Sequence, residues 1–463
     1  MNGRVLGAEL KRSAAPWPGL VVLTGSLAIF FLIDGIWWRG TARWTAHWTP
    51  MALWTRSWLL YWWPLTAGLG AVYGLRESRS RMTELVATTP RPAWRRATLP
   101  AGAMAIPLAS GFGLLTVVGA VRVALGPTTY LPLSWLPISL VALLALVAAA
   151  VFGMGIARAV PSVLTPPALV LTLLMTCMLL QQNAEDKLPS VPSRLALLSP
   201  ATAQPRQMLL TLSPSVNLGQ ALWLLGLLTT GFALLSAARN RARLLAAIPA
   251  LAGAVLALLI FPADARGTYV VDKAAAAMVC DGPVCVTRAN RSHLPELAAR
   301  GREALSRIRD TLGEQAPTQI RENTELRALG DQRELTGDTV LVDFDDPLIA
   351  EASGDGLTRV LVAQGLVPNC AARTPWESGG LADVPAQSIA ASWALGDHRL
   401  EPLQKPDAYS QHAWENAEAS WKKLTVLPPA EQRSRIALAH AAALSCQDER
   451  AALTAALTGE TLP

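Results

Sequence analysis

The chain has 463 residues, 51% of them hydrophobic, and a mean hydropathy of +0.31, which is too apolar for an ordinary soluble protein. Its formal charge of +6 conceals two opposite halves: residues 1–262 hold 20 Lys and Arg against 6 Asp and Glu, and residues 263–463 hold 20 against 28. The basic pI of 9.3 therefore does not imply a nucleic-acid partner, because the excess positive charge falls in short loops between apolar runs.

Taken in order, the N-terminus carries Arg4, Lys11 and Arg12 against Glu9 and leads into an apolar run from about Trp17 to Trp38. That run is long enough to cross a hydrocarbon core of about 30 Å. It is a poor signal peptide, because it ends in Trp37, Trp38 and Arg39 with no small-residue cleavage site after it. The next loop holds Trp44, Trp48 and Trp54, whose apolar bodies and polar N–H groups suit interfacial anchors among membrane lipids. A second span is expected at about Ser57 to Leu75 and a third at about Leu99 to Val123. Two charges fall near outer ends of spans, Asp34 and Arg122; snorkelling to the headgroups explains them, and a pair lining the mouth of a pathway is the sharper alternative.

Between spans two and three lies a charged island, Arg76 to Arg96, with Arg76, Arg79, Arg81, Arg91, Arg95 and Arg96 against Glu77 and Glu84. A loop this rich in arginine is retained in the cytoplasm. Met82, Leu85 and Val86 recur at helical spacing, and Pro90 disfavours the α conformation before it, so a short amphipathic helix is expected at the membrane surface.

Glu77, then Thr83 to Leu85, the Thr89–Pro90 turn and the Arg91 to Arg96 cluster resemble the coupling helix of ABC-2-type export permeases, a likeness covering roughly residues 1 to 262. The resemblance implies that Glu77, Arg79, Arg81, Thr83, Glu84, Leu85, Arg91, Arg95 and Arg96 dock on a separate ABC ATPase subunit. It also implies a second permease copy or a related permease as partner.

Further spans are expected at about Trp135 to Ala157, Leu164 to Gln182, Leu218 to Ala238 and Leu244 to Pro262, giving about seven. The segment PRQMLLTL, between the fifth and sixth, reads as a short amphipathic interfacial piece, where ABC-2 permeases often have an outer helical or re-entrant element. Expected inner segments hold 13 Lys and Arg and outer ones 6, which places the N-terminus in the cytoplasm and, after seven crossings, the acidic tail outside. Cys280, Cys285, Cys370 and Cys446 of that tail agree, since disulfides persist in oxidising compartments. Three pairings are possible, and Cys280–Cys285 with Cys370–Cys446 is favoured.

The tail, residues 263–463, is long enough for its own core. Ala263 to Lys273 reads as a linker, and Pro283 to Thr287 and Thr339 to Phe344 as strands. The clearest helix starts near His293, with Leu297, Leu305, Ile308 and Leu312 as its apolar stripe. Others are expected at Leu357 to Leu366, Ala386 to Leu395, Ala413 to Leu424 and Ala430 to Leu444. The expected fold is a polytopic α-helical membrane protein carrying a C-terminal extracytoplasmic α-rich α+β domain. PVCVTRANRSHLPEL resembles a segment that follows the last span in some actinobacterial permease-like proteins: Arg291 and Leu294 to Leu297 match, while Arg288, Ala289 and Asn290 replace a Pro-Glu-His portion.

None of the 6 lysines sits in a Gly-Lys-Ser/Thr sequence, so there is no P-loop, and ATP would belong to the partner subunit. Peptidase signatures are missing too. His412 with Glu415 and Glu418 reads as a solvated helix face, His440 as a partly buried helix residue, and no metal site or catalytic residue is assigned. The function expected is an ABC exporter permease moving an amphipathic or peptide-like cargo outward; the alternative is a non-transporting anchor or sensor whose outer domain binds a ligand or protein.

Overall fold

The structure is a computed structural model that describes residues 15–38, 43–76, 92–126, 130–185, 194–201, 208–237, 239–263, 267–325, 335–344, 346–370, 383–405, 411–446 and 457. Its first part is helical: α1 (Trp17–Leu32), α2 (Trp48–Ser57), α3 (Leu59–Gly74), α4 (Ala93–Ala124), α5 (Trp135–Ala159), α6 (Thr165–Glu185), α7 (Pro214–Ser236), α8 (Asn240–Leu245) and α9 (Ile248–Ile260). Helices α4, α5, α7 and the stretch Asn240–Ile260 are long and apolar enough to cross a membrane; α1 and α6 are shorter apolar helices. The stretch expected as one last span is interrupted between α8 and α9, just ahead of Pro249, whose ring opposes a continuous helix.

Glycine sets how these helices pack. Gly70 of α3 faces the Ala150 carbonyl of α5, and Gly153 of α5 faces the Ala67 carbonyl of α3; a β-carbon at either position would overlap that oxygen. Gly155 and Gly231 bring α5 against α7 in the same way, and Gly226 and Gly253 bring α7 against α9. Gly111 of α4 faces Gly19 of α1, so it serves close backbone approach. Where lipid tails are as apolar as the side chains, such dispersion contact at short range is what holds helices together. The buried faces match: Ala142, Ala145, Ala149, Ala150 and Met154 of α5 are sealed from the surface, whereas Leu251, Val255 and Leu259 of α9 are exposed.

The described part of the expected outer loop between the first two spans turns its tryptophans inward. Trp44 and Trp54 are 0% and 1% exposed, and Trp44 stacks on Phe30 with ring centroids 4.5 Å apart. Interfacial anchoring is thus corrected for these two: they fill the core over α2 and α4, where a β-carbon on Gly119 would strike Met51.

Two other expectations are revised. Within PRQMLLTL, Leu210–Leu212 forms a strand, β1, and inside the expected linker Tyr269–Val271 forms β2; they pair antiparallel, Leu210 opposite Val271. The polar composition of 263–273 hid a strand because half-buried strands this short carry little alternation. After it come β3 (Met278–Asp281), β4 (Val284–Thr287), α10 (Leu294–Leu312), β5 (Gln319–Glu322), β6 (Thr339–Val342), α11 (Pro347–Ala350), α12 (Gly354–Leu366), α13 (Asp383–Leu395), α14 (Gln411–Val426) and α15 (Pro429–Ser445). The sheet order is β3-β4-β5-β6, with β3/β4 an antiparallel hairpin and the other pairs parallel. Strands β3 and β5 escaped the sequence reading; the expected helices of this part are all present with slightly extended ends.

These elements enclose a second core, in which Leu297, Leu305 and Ile308 of α10 meet Val284, Ile320 and Val340 of the sheet. Cys280 joins Cys285 across the hairpin and Cys370 joins Cys446, the favoured pairing, with Cα atoms 4.1 and 5.5 Å apart. The second bond ties the end of α12 to the left-handed residue that terminates α15.

The glycine contacts predict a specific asymmetry. Gly153→Val should lower the thermal midpoint of the detergent-purified chain, at a cost of about 1–3 kcal/mol for overpacking. Gly113→Ala, with open space around the new methyl, should leave it unchanged or slightly raised.

Candidate functional site

Between Trp44 and Leu75 the chain has a single formally charged residue, Arg56. It lies at the end of α2, 0% exposed, where α5 and α7 begin. Its guanidinium is dressed by neutral oxygens: Nε donates to the Pro200 carbonyl at 3.2 Å, and one terminal nitrogen donates to Asn217 Oδ1 at 2.8 Å and to the Ile138 carbonyl at 3.5 Å. The other terminal nitrogen donates to Gln220 Oε1. Among the described residues no carboxylate lies within ion-pair distance of it. A cation without counter-charge among the described residues is tolerated in such surroundings because dipoles take up four of its five N–H donors.

Gln220 extends the network. Its amide nitrogen donates to the carbonyls of Leu197 and Ser199, both at 2.8 Å, and Trp223 Nε1 donates to Leu198 at 3.0 Å. Residues 196–200 are a short 3-10 turn and its exit, so their carbonyls have few helical partners. Irregular backbone at this position needs protein donors, and α7 supplies them. Beside the same turn, Cys177 of α6 lies buried against Ser199.

Above Arg56 a second set of polar contacts joins loops to the segment after α9. Asp272 accepts from Ser134 Oγ at 3.2 Å, Tyr130 Oη at 3.5 Å, and the amides of Ala274 and Ala275, each at 3.1 Å. Ser134 also meets Thr49 Oγ1 at 3.2 Å, and the Asp272 amide donates to Leu209. His47, Tyr130, Met208 and Asp272 line a small cavity there. Burial, with the positive field of His293 and Arg43, pushes the His47 imidazole down to about 4.

The C-terminal part holds one strongly perturbed carboxyl, Glu322, at the carboxyl end of β5 and 3% exposed. It accepts from the Thr287 amide at 2.6 Å, the Thr287 hydroxyl at 3.0 Å and Asn290 Nδ2 at 2.7 Å. Desolvation outweighs these bonds and pushes it up to about 7.

Of the residues singled out in the sequence, Glu77, Arg79, Arg81, Thr83, Glu84, Leu85 and Arg91 lie outside the described residues. Arg95 and Arg96 fall in the first turn of α4, with the Arg95 guanidinium 5.1 Å from the Trp94 ring centroid. Asp34 and Arg122 are both exposed, and Arg122 lies over the Phe31 ring at 5.3 Å; no ion pair joins the two among the described residues. His412 is exposed beside Glu415 at 3.3 Å, and His440 is more deeply buried than expected, its Nδ1 donating to the Leu366 carbonyl, 3.1 Å away. The described residues contain no metal-ligating cluster. Arg56, Asn217, Gln220, Asp272 and Glu322 were not anticipated; for Arg56 the signal was there, a lone charge inside a long apolar, tryptophan-rich run.

The fold thus defines a largely helical protein with membrane-length helices, joined through a polar junction to a disulfide-bearing part. Comparison with known proteins gives no match, whether by family profile, by curated sequence or by solved structure.

His47 and Glu322 give opposite pH dependences. Glu322 is raised above its unfolded value of 4.5, so its stabilisation is complete below about pH 4.5 and is lost as pH rises through 7, on the order of 3 kcal/mol. His47 is depressed from 6.5, so its contribution is present above about pH 6.5 and is lost as pH falls through 4. Denaturant unfolding of the full chain between pH 4.5 and 7, with disulfides intact, should show stability rising with pH in Glu322→Gln and falling with pH in His47→Asn, relative to the native profile.

Proposed function

We propose that this chain is the membrane-spanning subunit of an ABC exporter, working as one of two permease copies on a separate ATPase. The reading takes α1, α3, α4, α5, α6, α7 and the α8–α9 stretch as seven crossings, with the N-terminus cytoplasmic and the part after α9 extracytoplasmic. The observation that carries it is the arginine-rich, helix-patterned island between α3 and α4, which membrane anchoring alone does not require.

The charge distribution supports this orientation. Arg95 and Arg96 open α4, and Arg243 of α8 donates to the Ala159 carbonyl at the end of α5, 3.3 Å away, so basic residues gather at one pole of the bundle. The opposite pole carries Asp272, the β1/β2 pair and the connection to the disulfide-bearing part. A basic inner pole and an oxidised outer part are what the positive-inside rule and thiol chemistry would each give independently.

In this mechanism, closure of the ATPase dimer pushes on the 77–96 element, the spans tilt, and cargo leaves at the outer pole. Glu84 and the flanking arginines make polar contacts to the ATPase, and Leu85 is the apolar knob. Apolar spans with few buried charges suit an amphipathic or peptide-like cargo over a highly charged one.

Co-purification from the native host, using ATPases encoded beside this chain, tests the proposal. A stoichiometric ATPase should accompany the native chain and be lost from the Glu84→Arg, Leu85→Asp double variant. If a folded native chain retains no ATPase, the anchor reading replaces this one, and ligand binding by the C-terminal part becomes the activity to measure.

A further inference from the structure

We infer that Arg56 is the pin of a latch that closes the outer pole of the bundle, and that opening consists of withdrawing residues 196–200 and the start of α7 from its guanidinium. The idea of an opening pole rests on the exporter reading; the latch itself is argued from contacts.

Three separate stretches of chain converge on this one side chain from α2: the first turn of α5 through Ile138, the first two turns of α7 through Asn217 and Gln220, and the 196–200 turn through Pro200. Gln220 doubles the attachment by holding Leu197 and Ser199. Without Gln220, the Trp223–Leu198 bond is the side-chain tie that remains between the 196–200 turn and α7 among the described residues.

A guanidinium differs from an apolar plug in what happens when water enters. Separating packed leucines exposes apolar surface and is opposed throughout. Separating neutral oxygens from a buried cation returns the charge to water, and the recovered hydration offsets the broken hydrogen bonds. The closed and hydrated arrangements are thereby brought close in free energy, which is the condition for a two-state element. That no carboxylate among the described residues reaches the guanidinium matters here. An ion pair at this depth would add a full counter-charge to these hydrogen bonds and hold the closed state more firmly, whereas amide and carbonyl dipoles let go more readily.

The native chain contains its own reporter. Cys177 is the free cysteine, buried beside Ser199 on the turn that the latch holds, and the other four cysteines are in disulfides. The rate at which a water-soluble maleimide labels Cys177 in the full-length protein in nanodiscs, with neither ATP nor ATPase present, measures how often the turn withdraws. Thermal unfolding of each variant is recorded alongside.

Gln220→Leu, which removes the bond from the guanidinium and both bonds to the turn, should label at least about tenfold faster, the factor expected for the bond to the charged group alone. Asn217→Asp, which sets a carboxylate beside the guanidinium, should label several-fold slower than the native chain. Opposite shifts, each larger than the accompanying change in thermal midpoint accounts for, establish the latch. Labelling rates that simply follow thermal midpoints, or that do not change, overturn it and leave Arg56 as a static part of the core. Should Asn217→Asp not fold, Gln220→Leu decides alone: unchanged labelling in a stably folded variant defeats the inference. Because the assay needs no ATPase, a failed co-purification and a failed latch are separate results.

Discussion

Helices α3, α5, α7 and α9 meet backbone to backbone at glycine, and the remainder of the molecule depends on that close approach. With Gly153 against Ala67 and Gly231 against Phe152, the helices come near enough for their ends to share polar partners. The start of α7 can then place Asn217 and Gln220 within reach of a side chain from α2, and the start of α5 can offer the Ile138 carbonyl. Bulkier residues along these seams would spread the ends and strand a buried cation. Packing and electrostatics are therefore one constraint, seen at different depths of the bundle.

Covalent order adds a second dependence. The segment after α9 does not simply leave the bundle: β2 pairs with β1, and Asp272 gathers Tyr130 and Ser134 before the chain enters the β3/β4 hairpin. The C-terminal part is consequently joined to two loops of the helical part, the α4–α5 and α6–α7 connections, and not to the last helix alone.

Much of the helical architecture was legible because apolar runs of span length admit few alternatives: the expected third, fourth, fifth and sixth runs correspond closely to α4, α5, α6 and α7. The stripe of α10 was legible for the same reason, its period repeating over many residues. Short strands were not. Tyr269–Val271 and Gln319–Glu322 each span three or four residues, too few for a period to emerge, and their identity comes from partners distant in sequence. Trp44 and Trp54 misled in another way, since an amphipathic indole suits both an interface and a core, and only neighbours such as Phe30 and Met51 decide between them. The candidate site was the least legible portion, because Arg56 reads as one more loop charge until Asn217 and Gln220, far along the chain, are folded against it.

The sequence by itself determined the class of molecule: which runs are apolar, where arginines concentrate, which half is acidic and holds four of the cysteines, and that no P-loop is present. These are properties of composition and local order, which a chain carries whether or not it is folded. Only the tertiary structure decided which glycines touch, which tryptophans are interior, how the segment after α9 is bound, and that one arginine is sealed among neutral oxygens. Each of these depends on groups separated by tens to hundreds of residues, and the burial of a charge is a property of its surroundings that folding alone creates.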